Sequence, residues 1–192
     1  MSADVVLGAL VLGATGLVAL FAGADRGQTR RRARESFRAY ATSRSLRFEP
    51  ASAGQLSPRI LGAEGDTTEL YRLGGVLRTR TSSVPRNGRG LVLSVAQRGQ
   101  FELGDSAPLS LAVLAEDYVR TGGTATDLDR LEVAADPLLL LASRRREVWL
   151  VGDGASIALS WRGLERDPQI LDAARATVIA LAAERGTPDP YR

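Results

Sequence analysis

The chain has 192 residues, with 25 basic and 22 acidic side chains, a formal net charge of +3, no cysteine and no histidine. Every basic residue is an arginine, which excludes thiolate and imidazole metal sites, haem attachment, thiol redox chemistry, Schiff-base lysines and the phosphate-loop lysine. Ser–His and Ser–Lys nucleophile pairs fall with them, leaving carboxylates as the surviving catalytic chemistry.

Residues 5–24 (VVLGALVLGATGLVALFAGA) contain no charge, and a helix of that length rises about 30 Å, the thickness of a hydrocarbon core. This predicts a transmembrane anchor over residues 1–24. The rival reading is a secretory signal peptide cleaved near Ala22-Gly23-Ala24, but the only charge ahead of the apolar run is Asp4. The arginines follow it instead, at Arg26, Arg30, Arg31, Arg32 and Arg34, which by the positive-inside rule places the C-terminal side in the cytoplasm. Abundant Ala, Gly and Arg with a single asparagine, Asn87, look like the codon bias of a GC-rich bacterial genome. The expected location is therefore a bacterial inner membrane, crossed once. Ala9 and Gly13, and again Thr15, Ala19 and Gly23, recur four apart and offer a face for a second copy or a membrane-protein partner.

Residues 25–45 predict a basic juxtamembrane helix, because Ala33, Phe37, Tyr40 and Ala41 fall at helical spacing opposite an arginine-rich face. Residues 25–49 hold eight arginines against three acids, so anionic headgroups are the expected partner, at roughly 1 kcal/mol per arginine. The competing account is a topology signal with a solvated face. From residue 50 onward 17 arginines meet 18 acids, which removes the case for nucleic-acid binding.

Residues 46–185 predict one soluble α+β domain, a mostly antiparallel sheet closed by a C-terminal amphipathic helix. Strands are expected at 59–64, 67–73, 77–82, 90–97, 109–116 and 129–134, with Asn87-Gly88 as a hairpin turn and Gly65-Asp66 as another. Asp136-Pro137 and Asp167-Pro168 each place a capping carboxylate before a proline suited to the first helical position. They predict helices at 137–145 and 168–184, the second with Leu171, Ala174, Val178 and Leu181 on one face. Between them, 147–151 and 156–161 form a hairpin around Gly152-Asp153-Gly154, and residues 186–192 read as a disordered tail.

This order of elements, with Leu46-Arg47-Phe48-Glu49, Leu128-Asp129-Arg130-Leu131-Glu132-Val133 and the run from Trp149 through Gly154 to Trp161, resembles a loose group of uncharacterised bacterial single-span membrane-anchored α+β proteins. The resemblance covers about residues 46–182 and implies the fold; it brings no catalytic residue and no cofactor.

Three clusters are candidate sites. Asp127 and Asp129 form a D-x-D that on a strand would put two carboxylates on one face for a divalent cation, against a plain solvated strand entry. Arg144, Arg145 and Arg146 close a helix, where cations oppose the negative dipole end, or receive an anion. Asp66-Thr67-Thr68 and Asp105-Ser106-Ala107 faintly resemble aspartic-protease loops without their glycine. Trp149 and Trp161, on facing strands, suit core packing better than a stacking platform. The function expected is a non-catalytic, membrane-tethered binding or scaffolding module without cofactor. The alternatives are a carboxylate-dependent hydrolase and a lipid or small-molecule binding domain.

Overall fold

A computed structural model describes residues 27–52, 57–85, 90–97, 118–183 and the backbone of 107–108. The first helix, α1, spans residues 27–43 among these. It ends where Ser45 adopts φ 54°, the Leu46 N–H reaches back to the Ala41 carbonyl at 2.8 Å, and the Ser45 N–H reaches that of Thr42 at 3.3 Å. That pair of bonds is the Schellman arrangement, with serine where glycine is usual.

Nine strands follow among the described residues: β1 Arg47–Glu49, β2 Arg59–Leu61, β3 Thr67–Leu73, β4 Val76–Ser83, β5 Val92–Gln97, β6 Ala107–Pro108, β7 Tyr118–Gly122, β8 Trp149–Asp153 and β9 Ile157–Arg162. They form one sheet in the order β1-β2-β3-β4-β9-β8-β5-β7-β6, every pair antiparallel. Gly74 and Gly75 connect β3 to β4 with φ of 55° and 81°, the double positive φ of a type I′ turn, which a side chain would strain. The Asp153 carboxylate closes the β8–β9 turn by accepting from the N–H groups of Ala155 and Ser156 at 2.9 and 2.7 Å.

Three more helices, α2 Ala125–Val133, α3 Ala135–Arg144 and α4 Pro168–Ala182, complete the described elements. Asp167 caps α4 by accepting from the Gln169 N–H, and Pro168 occupies the first turn, so the expected start holds. The register puts Leu70, Thr79, Trp161, Leu159, Leu150 and Val95 on one face of the sheet, and α4 lies against β4 and β9, burying Leu171, Ala174, Val178 and Leu181. Phe37 of α1 is fully buried in this same core, so α1 is an integral layer of the domain. The opposite sheet face carries Arg59, Glu69, Arg78, Arg80, Arg162 and Trp149.

The expected fold class is corrected on several points. Among the described residues no helix is long and apolar enough to cross a membrane, and the expected span at 5–24, like the tail at 186–192 and the strand at 109–116, lies outside the described residues. Residues 129–133 are helical rather than extended, with Ala134 as the cap that follows: Thr124 and Asp127 form a capping box, and the periodicity of Leu128 and Leu131 belongs to a helix. Asn87-Gly88 lies outside the described residues, and the strands before and after it are not hairpin neighbours, because β9 and β8 stand between β4 and β5. Asp136 does not cap α3, which begins at Ala135 with Ala134 in the capping position. Finally, β1 and β7 form where no strand was expected.

Candidate anion-binding surface

Helix α1 divides its residues by physics. Ala33, Phe37, Tyr40 and Ala41 face the core, while Arg30, Arg31, Arg32, Arg34 and Arg38 are exposed. Glu35 is the one acid within this stretch, and it pairs with Arg31 at 2.9 Å in full exposure, a contact worth a few tenths of a kcal/mol. Among the described residues Arg30, Arg32, Arg34 and Arg38 enter no ion pair. Arg26 lies outside the described residues.

Two grooves flank the helix. One, of about 340 Å³, is lined by Arg30, Arg31 and Arg34 across from Pro50, Ala51, Ser52 and Pro58. The other, of about 520 Å³, lies between α1 and the start of α4, with Arg32, Glu35, Ser36, Ser43 and Arg166 among its walls. The Ser36 hydroxyl there donates to the Glu165 carbonyl at 3.2 Å, and that of Ser43 donates to the Tyr40 carbonyl at 2.8 Å.

A charged network fastens α1 to the rest. Tyr40 donates its hydroxyl to Asp172 of α4 at 2.7 Å, and Arg44 contacts the same carboxylate. Burial and the Asp172 hydrogen bond push the Tyr40 hydroxyl up to about 12. Burial pushes the Asp172 carboxyl up, but the hydrogen bonds from Arg44 and Tyr40 outweigh it and hold it below its ordinary value. One turn further along the same side of α4, Arg175 grips buried Asp66 through Nε and Nη2 at 2.5 and 3.2 Å. Gly62 makes room for this pair, since a Cβ there would stand 1.8 Å from Asp66 Oδ1.

The other sequence candidates are engaged elsewhere. Asp127 sits in the α2 cap, its carboxylate accepting from the N–H and hydroxyl of Thr124 at 2.8 and 2.9 Å. Two residues apart on a helix, Asp127 and Asp129 point to different sides, so the structure does not bring them together as a cation pair. Among the described residues no cluster of three or more acids has metal-holding geometry. Arg145 makes a two-pronged contact with buried Glu165 at 2.6 and 2.8 Å, and Arg144 reaches Gln169 and Asp167, leaving Arg146 exposed. Glu165 also accepts from Trp161 Nε1 and from the N–H groups of Arg166 and Asp167, each at 2.9 Å. Burial raises the Glu165 carboxyl; the Arg145 and backbone hydrogen bonds prevail and lower it. Trp161 is fully buried, whereas Trp149, paired with Ser160, is half-buried on the opposite sheet face and donates to Ser94 at 2.9 Å. Asp66 of the protease-like pair is the partner of Arg175, and Asp105 lies outside the described residues.

What the sequence concealed are the walls and the hubs. No local signal marks Pro50 to Ser52 and Pro58 as facing Arg30, nor Glu165 as the partner of Arg145 and Trp161. Among solved structures the chain is similar to the crystal structure of the mycobacterial trehalose monomycolate transport factor A. Identity is 16%, the TM-score is 0.47, and the match covers 80% of this chain and 94% of that one. No family model and no curated protein matches the chain. No residue role passes from that likeness to this chain.

Proposed function

We propose that the protein is a non-catalytic binding module that works against an anionic membrane surface through α1. One observation carries this reading: α1 buries its apolar stripe in the domain and leaves five arginines exposed beside a single carboxylate. A cationic helix face held rigidly on a folded domain attracts anionic headgroups, at about 1 kcal/mol per arginine and with strong screening by salt. The catalytic alternative has lost its support at Asp127 and Asp129, whose helical placement separates their carboxylates.

The test is vesicle flotation of the full chain, with R30Q/R31Q/R32Q/R34Q/R38Q as the variant. Because residues 5–24 are apolar, the informative quantity is the excess binding to phosphatidylglycerol vesicles over phosphatidylcholine vesicles. The wild-type chain shows that excess, loses it in high salt, and the variant lowers it about a hundredfold or more. An excess unchanged by the five substitutions removes the proposal.

A further inference from the structure

The groove of about 340 Å³ holds more than surface charge. Arg30 and Arg34 stand one helical turn apart with Arg31 beside them, so three arginines line the groove from one flank of α1. Among the described residues the facing wall is Pro50, Ala51, Ser52 and Pro58, which brings no carboxylate to balance them. Arg30 and Arg34 have no ion-pair partner among the described residues, and Arg31 meets only exposed Glu35. Elsewhere arginines that line the interior are matched: Arg145 by Glu165, Arg175 by Asp66, Arg78 by Glu147. The second groove differs too, since Glu35 is in its wall and the hydroxyls of Ser36 and Ser43 already donate to carbonyls.

Unbalanced positive charge in a concave site of small-ligand size selects an anion with organic bulk attached. Guanidinium forks match the oxygens of a phosphate, two at a time, and such charge-assisted contacts are the strong ones. We propose that this groove is a phosphate-ester site, in which Arg30 and Arg34 fork the phosphate oxygens, Arg31 adds a third cation, and Pro50, Ala51 and Pro58 pack against the attached carbon skeleton. The proposal rests on the anionic-surface reading above and sharpens it from a charged face to one stoichiometric site.

The experiment is isothermal titration of the full chain in a neutral detergent with three probes: dihexanoyl phosphatidic acid, dihexanoyl phosphatidylcholine and glycerol 3-phosphate. Phosphatidic acid binds with a stoichiometry of one, and phosphatidylcholine does not. Glycerol 3-phosphate binding as tightly as phosphatidic acid identifies the ligand as a free phosphate ester; binding of phosphatidic acid alone identifies a lipid headgroup. Either result supports the site. R30Q/R31Q/R34Q lowers the affinity at least about tenfold, and so does the charge-preserving R30K/R31K/R34K to a lesser extent, because an ammonium cannot make the forked contact. A net-charge control outside α1, R72Q/R162Q, changes it less than about threefold. All these side chains are exposed, and unchanged thermal melts verify folding. Full affinity in the lysine variant overturns the groove while leaving the anionic-surface reading standing. Equal loss in the net-charge control, or no preference for phosphatidic acid over phosphatidylcholine, overturns both.

Discussion

The arginines of α1 and the arginines of the body of the domain are the same residue in two environments. In the body, Arg145, Arg175 and Arg78 each meet a carboxylate that is buried or half-buried, and they hold distant segments together. Along α1, Arg30, Arg32, Arg34 and Arg38 look outward without an ion-pair partner among the described residues. The difference teaches that what an arginine does here follows from its partner and its burial; composition and local charge count the two groups alike. Breaking the first group should cost stability and leave binding intact, and breaking the second should do the reverse.

The largest effect is expected from Glu165→Ala. It strips the partner from Arg145 and from buried Trp161 Nε1, and losing one side of a buried ion pair costs about 3–5 kcal/mol. Urea unfolding measures this; a loss under about 1 kcal/mol would mean that Arg145 is merely a surface pair. Arg175→Met, which orphans Asp66 at 1% exposure, should come next, at about 3 kcal/mol on the same scale.

The pH dependence follows from the same hubs. Glu165 and Asp172 have carboxyls lowered in the folded state, so their stabilisation is present above their unfolded values, about 4.3 and 3.9, and is lost as pH falls further. Tyr40 is raised to about 12, so its contribution is complete below its unfolded value near 10 and disappears as pH climbs through 12. Urea midpoints should therefore drop at both extremes. Glu165→Gln should flatten the acid limb and Tyr40→Phe the alkaline one; limbs that keep their slopes would exonerate these groups.

Smaller still is Thr124→Ala, which removes the α2 capping box for about 1 kcal/mol by thermal unfolding. At the bottom of the scale, R30A/R34A should move stability by no more than about 0.5 kcal/mol while weakening binding to anionic vesicles. A destabilisation beyond 1 kcal/mol, about twice that bound, would place these two residues with the structural arginines.

How much of this was legible depended on whether a signal was local. Strand β3 and the β8–β9 hairpin follow from alternation and turn residues, and α4 follows from Asp167-Pro168. Residues 129–134 misled because Leu131 and Val133 also alternate like a strand, and only the Thr124 to Asp127 cap upstream decides for a helix. Strand β1, at three residues, is too short to show a period. The basic face of α1 was visible from its spacing. The groove beside it was not, because its far wall is set by the path of the chain after β1 and before β2.

The insertion of β9 and β8 between β4 and β5 has a consequence for biosynthesis. When β5 leaves the ribosome, the strands that will join it to β4 are still to be made, more than 50 residues downstream. At about 5–20 residues per second, β4 and β5 each wait for seconds with an unpaired edge, open to pairing with another nascent chain. Closing so distant a contact is also slow once the chain is complete. The centre of the sheet is thus assembled last, and a chain that stops before Trp149 should be a substrate for chaperones.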